Sequence, residues 1–332
     1  MRHHNALQWD GGPGHYEVWY LSATDRGSGL GLWIRFTLRA PSDGSPAECA
    51  LWFLAMDRER RVARKATLPI AELHAERDPF ALTIGGADLT DRGMAGAFDD
   101  VAWELTWEPT QPPAEHVHPL LRRARVAKTV LVLPHPDLRV AGTVRIGGET
   151  LTLDGARGGQ AHLWGSKHAA RWAWMHCNDL QTAEGEPRDG DWLDGVSVFV
   201  PRAGREVGPS TPVVGRLLGE PFRSVSPARV LRNASAFGLT SWRVEARDGA
   251  RRVACEVDAP RESLVGVTYH DPDGDEVLCF NSEVATLRAT VFDRTSRGRF
   301  GWVRRATLLS RGRAHFEYAQ RAPVAGVEVL LR

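Results

Sequence analysis

Alternation with a period of two, broken by glycine pairs, is the feature of this sequence that most restricts its fold. Residues 139–155 read RVAGTVRI-GG-ETLTLDG. Gly147-Gly148 suits a two-residue turn between alternating strands, because glycine tolerates the positive φ that such turns require. Residues 241–259 repeat the pattern as SWRVEAR-DG-ARRVACEVDA, turning at Asp248-Gly249. Further strands are expected at Tyr16–Leu21, Leu30–Leu38, Ala50–Met56, Val101–Trp107, Gly195–Val200 and Thr286–Phe292. Helical periodicity is scarce, and short helices are expected only near Ala71–His74 and Ala114–Arg125. Prolines 109, 112 and 113, then 201, 209 and 212, fall between strands, as they do in antiparallel sandwiches and barrels. The expected class is all-β.

At 332 residues the chain is long enough for two domains, each with its own core. A weak internal repeat supports this. HYEVWY, GLWIRFTL and CALWFLAM in the first half match AHLWG, RWAWMHCN and LDGVSVFV in the second, and DVAWELTWEP matches SWRVEARDG. Two tandem β units are expected, 1–153 and 154–332, joined near the glycine-rich stretch Asp154–Gly159.

Charge narrows the partners. Lys+Arg number 42 and Asp+Glu 41, so the net charge is +1. Such a balance lacks the bulk electrostatics for nucleic acid or an anionic membrane surface. Three lysines among the 42 cations leave 39 arginines, a bias in keeping with GC-rich coding. Cys49, Cys177, Cys255 and Cys279 show no C-x-x-C spacing and read as buried thiols of a reducing compartment. The N-terminal MRHHNALQWDGGPG lacks the apolar stretch of a secretory signal, and no apolar run approaches membrane-spanning length. A cytoplasmic protein, monomer or homodimer, is the expectation.

Gly159–Asn178, GQAHLWGSKHAARWAWMHCN, concentrates three histidines, three tryptophans and an asparagine. If Arg171–Asn178 is extended, Trp172, Trp174, His176 and Asn178 share one face. Two aromatic walls beside two hydrogen-bonding heads compose a small-molecule pocket; the alternative is a core strand with His176 and Asn178 bonded to backbone. His162, His168 and His176 have no compact metal-ligand spacing, and no metal is expected. In HYEVWY, Glu17 shares a face with His15 and Trp19. There it is either a carboxyl raised by burial, suited to acid catalysis, or the partner of an arginine. Asp194 beside Trp192 is a second acid–aromatic pair. Asn281-Ser282-Glu283 interrupts two apolar strands, lining a cavity or forming a bulge.

No G-x-S-x-G elbow, phosphate-binding loop, H-E-x-x-H helix or G-x-G-x-x-G run is present, which disfavours serine-hydrolase and nucleotide chemistry. The run VAGTVRIGGETLTLDGARGGQAHLWG, followed by RWAWMHCN, resembles the lipocalin-like superfamily of carotenoid 1,2-hydratases, tocopherol cyclases and AttH-type proteins. Val140-x-Gly142-x-Val144, the Trp164-Gly165 pair and the Glu17-x-Trp19-Tyr20 segment carry the resemblance, with His162 where hydratase-like members carry an acidic residue. The resemblance implies two lipocalin-like antiparallel barrels or sandwiches in tandem. It implies an apolar isoprenoid, terpenoid or polyene substrate, and protonation-initiated hydration, cyclisation or isomerisation without a cofactor. Carried onto this chain, the candidate proton donors are His162, His176, Asp194, Glu17 and Glu283. Trp19, Trp33, Trp164, Trp172 and Trp174 would supply π-faces for a carbocation, and His168, Asn178, Tyr269 and Asn281 would join them in binding substrate. A non-catalytic carrier of lipids or isoprenoids, or a protein whose barrels serve interaction, are the alternatives.

Overall fold

The computed structural model of the chain describes residues 3–118, 128–202, 205–295 and 301–332. It is almost entirely β. A first sheet is built from β1 (His15–Thr24), β2 (Gly31–Ala40), β3 (Glu48–Met56), β4 (Arg61–Pro69), β5 (Leu73–Arg77), β6 (Phe80–Ile84), β7 (Ala87–Thr90), β8 (Gly93–Phe98), β9 (Val101–Pro109), β10 (Ala114–Glu115), β11 (Thr129–Ile146) and β12 (Glu149–Gly165). A second comprises β13 (Arg171–Cys177), β14 (Gln181–Thr182), β15 (Trp192–Arg202), β16 (Arg205–Ser210), β17 (Val213–Leu217), β18 (Glu220–Ser224), β19 (Ala234–Phe237), β20 (Ser241–Asp248), β21 (Arg251–Asp258), β22 (Val265–His270), β23 (Glu276–Arg294), β24 (Trp302–Gln320) and β25 (Val329–Leu331).

Both sheets repeat one order. The first runs β4-β3-β2-β1-β12-β11-β9-β8-β7-β6-β5 and the second β18-β17-β15-β13-β24-β23-β21-β20-β19. All pairings are antiparallel except β22 with β25. The internal repeat is therefore real, but its alignment shifts by one strand. β1, not β2, matches β13, and AHLWG belongs to β12, the last strand of the first sheet. Position 153 falls inside β12, which stays paired with β1 as far as Tyr16 opposite Gly165.

The two expected hairpins form. Gly147-Gly148 connects Ile146 to Glu149, with Gly147 at φ +59°. The second turn sits one residue later than expected, at Gly249-Ala250, because Asp248 still pairs with Arg251. The expected helix at Ala71–His74 is a single 3-10 turn, Ile70–Glu72, running straight into β5. Of the one expected at Ala114–Arg125, Ala114–Glu115 is strand, and residues 119–125 lie outside the described residues.

Alternation sorts the side chains into three cores. In β9, Val101, Trp103, Leu105 and Trp107 point inward, while Glu104, Thr106 and Glu108 face water. They join Trp19, Phe36 and Phe53 in a core enclosed by the first sheet. The second sheet encloses its own, around Met175, Trp242, Phe280 and Phe316. A third core draws on the opposite faces of both sheets: Tyr16, Val18 and Tyr20 of β1 meet Trp172 and Trp174 of β13. β1 is thus buried on both sides, with Trp19 and Leu21 facing one core and Tyr16 and Tyr20 another.

The sheets approach closely where glycines permit it. A Cβ on Gly31 would lie 2.6 Å from Glu283 Cβ, and one on Gly159 would lie 2.5 Å from His176 Nε2. Polar pins cross the same plane. Asp179 accepts bonds from Arg26 Nε at 2.8 and 3.0 Å and pairs with Arg313 at 2.7 Å. Asn178 Nδ2 donates to Asp137 at 3.0 Å.

Candidate active site

Between the facing sheets lies a cavity of about 440 Å³, within the size range of small-molecule sites. Its walls are largely apolar: Tyr20 and Trp33 from the first sheet, Trp172, Trp174, Val196 and Val198 from the second. The pocket expected along β13 therefore exists, but it lies between the sheets rather than within either barrel. Five expected residues line it: Trp33, His168, Trp172, Trp174 and Tyr269. Trp174 meets Tyr20 edge-on at 5.7 Å, and His168 stacks between Tyr16 at 4.2 Å and Trp172 at 5.5 Å.

The other expected residues lie elsewhere. Trp19 belongs to the first sheet's core, its Nε1 donating to the Asn5 carbonyl at 2.8 Å. Trp164 is half-buried against His162. Asn178 is committed to Asp137 and the Gly158 carbonyl. Asn281 sits beside Cys279, and Glu283 is paired with His315.

Glu17 and His162 form a closed network of their own. His162 Nε2 lies 2.8 Å from Glu17 Oε1, and His162 Nδ1 lies 2.7 Å from the His4 carbonyl. Glu17 also accepts from the backbone N–H groups of Gln8 at 2.8 Å and Trp9 at 3.0 Å, and pairs with His15 at 2.9 Å. Burial would raise this carboxyl, but hydrogen bonds from His15, His162 and the Gln8 backbone outweigh it and hold it below its ordinary value. The expectation of a raised Glu17 is therefore overturned, and its partners are histidines and amides rather than arginine.

Asp194 behaves alike. Fully buried, it lies 2.8 Å from His116 Nε2 and 3.0 Å from His176 Nδ1, and Trp174 Nε1 donates to both its oxygens at 3.2 Å. Burial again raises and the two histidines lower more strongly, so the carboxyl is held as an anion. His176 is stacked on Trp174 as the strand reading implies, at 6.3 Å, and also on His315 at 6.0 Å. The three histidines of Gly159–Asn178 thus diverge: His162 pairs with Glu17, His168 with Asp271, and His176 with Asp194. Among the described residues no group of three or more His, Cys, Asp or Glu side chains is arranged to hold a metal.

Two lining residues escaped the sequence reading. Glu317 of β24 stands opposite Trp174, and Trp172 Nε1 donates to its Oε1. Burial raises this carboxyl above its ordinary value, despite the bonds from Trp172 and Cys279 and the nearby charge of Arg35. Among the described lining residues it is the one carboxylic acid. Arg35 of β2 is 5% exposed, with Tyr269, Trp33 and Trp52 around its guanidinium at 4.2, 5.4 and 5.4 Å. Neither was singled out in the sequence, although alternation in GLWIRFTL puts Arg35 on the face of Trp33; Glu317 is one of several charges in β24.

Comparison with known proteins agrees with this architecture. No protein-family model matches the chain. Uncharacterized protein Rv0493c of Mycobacterium tuberculosis H37Rv is 30% identical over 285 residues, spanning 84% of this chain and 82% of that protein, and MT0513 of strain CDC 1551 matches equally. Among solved structures, a putative AttH from Nitrosomonas europaea superposes with a TM-score of 0.55 at 12% identity, covering 96% of this chain and 98% of its own. CghA with Sch210972 gives 0.55 at 11% identity, covering 92% and 88%. Kievitone hydratase from Nectria haematococca gives 0.51 at 8%, covering 93% and 89%. Among the described residues no helix is long and apolar enough to cross a membrane. The chain belongs to the family of the two mycobacterial proteins, and its fold is the lipocalin-like tandem fold of the AttH-type, CghA and kievitone hydratase structures.

Proposed function

We propose that the chain is a hydratase, cyclase or isomerase that works without a cofactor on an apolar substrate of isoprenoid or polyene kind, held in the inter-sheet cavity. The observation that carries this reading is Glu317, a half-buried carboxyl on the wall of a tryptophan-lined cavity, bonded by Trp172. A carboxyl whose pKa is raised by burial is better suited to donate a proton than an ordinary one. In the proposed step the Glu317 proton goes to one alkene carbon and the other becomes cationic, facing Trp172 and Trp174. Water then adds to the cation and returns a proton to Glu317, completing hydration. In cyclisation an internal double bond attacks instead, and the proton lost from the ring returns to Glu317.

The named neighbours support the reading: one is a hydratase, and another has been crystallised with Sch210972. The second reading, a carrier, draws on Glu17 and Asp194 both being held as anions. The Glu317→Gln variant separates the two. Each purified protein is weighed by native mass spectrometry and its bound molecule extracted. For an enzyme, the variant retains a molecule that the wild type converts when the two are mixed. Identical extracts, with no conversion, establish a carrier.

A further inference from the structure

Arg35 differs from most of the buried charges of this protein. Glu17, Asp194 and Glu283 each have a histidine partner, Asp271 has His168 and Arg321, and buried Arg157 has Asp189. Arg35, 5% exposed, makes no ion pair among the described residues, and its Nε has no hydrogen-bond partner. Three aromatic rings compensate part of its charge, but a guanidinium carries five N–H donors, and rings do not satisfy them. A buried cation without a counter-ion is costly, and this one lines the cavity.

Lys128 and Lys167 also line the cavity, together with His116, His118 and His168, against the single carboxyl of Glu317. Lys167 is balanced by Asp273 and Asp275, His116 by Asp194 and His168 by Asp271. The carboxyl of Glu317 is taken up by Trp172.

We infer that the substrate carries a carboxylate, which Arg35 receives while the apolar body fills the space between Trp33, Trp172 and Trp174. This rests on the reading of the cavity as the substrate site. A bidentate Arg–oxyanion contact also fixes orientation, so the double bond nearest Glu317 would be set by its distance from the acidic head.

The test compares decanoate with 1-decanol at pH 7.5, followed by tryptophan fluorescence of the full chain. Wild-type protein should bind decanoate at least tenfold more tightly than decanol. Arg35→Gln should lower decanoate affinity to that of decanol and leave decanol unchanged, and Arg35→Lys should keep part of the preference. Equal affinity for acid and alcohol in the wild type overturns the inference, and needs no variant to fold. A preference that survives Arg35→Gln overturns the role of Arg35. Binding of neither probe overturns the cavity reading itself, an outcome distinct from both.

Discussion

Replacing Gly159 by alanine puts the packing between the sheets under a quantitative test. The added Cβ would lie 2.5 Å from His176 Nε2, against the 3.4 Å or more of ordinary contact, so the ring must retreat by about 0.9 Å. It has little freedom to do so, because its Nδ1 is held 3.0 Å from Asp194 and its faces lie against Trp174 and His315. Overpacking costs about 1–3 kcal/mol, and losing a hydrogen bond to a charged group about 1.5–3 kcal/mol. Together they give a destabilisation of about 3–5 kcal/mol. Chemical denaturation of wild type, Gly159→Ala, His176→Ala and the double variant measures it as a cycle. With His176 truncated, the clash is gone and the alanine should cost under about 1 kcal/mol. A glycine substitution as damaging without the imidazole as with it refutes the reasoning, since the cost would then arise in the β12 backbone.

Three further outcomes are expected. Because folding raises the Glu317 carboxyl, stability falls as pH rises above its unfolded value of 4.5; Glu317→Gln should therefore melt higher than wild type at pH 8, with the gap closing near pH 4, and an equal or lower melting temperature at pH 8 contradicts this. Asp271 is the opposite case: buried, yet held at about 2 by His168 and Arg321 against an ordinary 3.8, it contributes fully above pH 4 and loses its contribution as pH falls towards 2, so Asp271→Asn should flatten the acid limb of a stability–pH curve. A fragment ending at 153 deletes the part of β12 that pairs with β1 and should lack strand signal in circular dichroism; ending at 168 should restore it, and a well-folded 1–153 fragment would argue for the earlier boundary.

Where one face meets water over a long strand, alternation makes it legible, though the short β7, which alternates in the same way, is not among the expected strands. β9 advertises itself through Glu104, Thr106 and Glu108, and the β11–β12 turn through its two glycines. Where both faces are buried, as in β1 and β13, alternation gives the face but not its destination. Trp172 and Trp174 were placed on one face correctly, yet nothing in RWAWMHC says that this face meets another sheet. The carboxyl that lines the cavity was missed for a related reason. Glu17 and Asp194 stand beside aromatics in sequence, but partners distant in the chain, such as His162 and His116, decide their charge. Glu317 looks like one more residue of a long strand until register sets it opposite Trp174 and the indole of Trp172.

The location of the cavity has a consequence for how this architecture can diversify. A lipocalin-type barrel that holds its ligand inside must empty its own interior to do so. Here each sheet keeps a filled core, around Phe53 and Trp103 in one and Trp242 and Phe316 in the other, and the cavity occupies the seam between them. The residues that line the cavity, such as Tyr20, Trp33, Trp172 and Trp174, are therefore also part of the third core that joins the sheets. A change in the shape of the cavity is then also a change in how the two sheets are held together, whereas the cores inside each sheet are untouched by it.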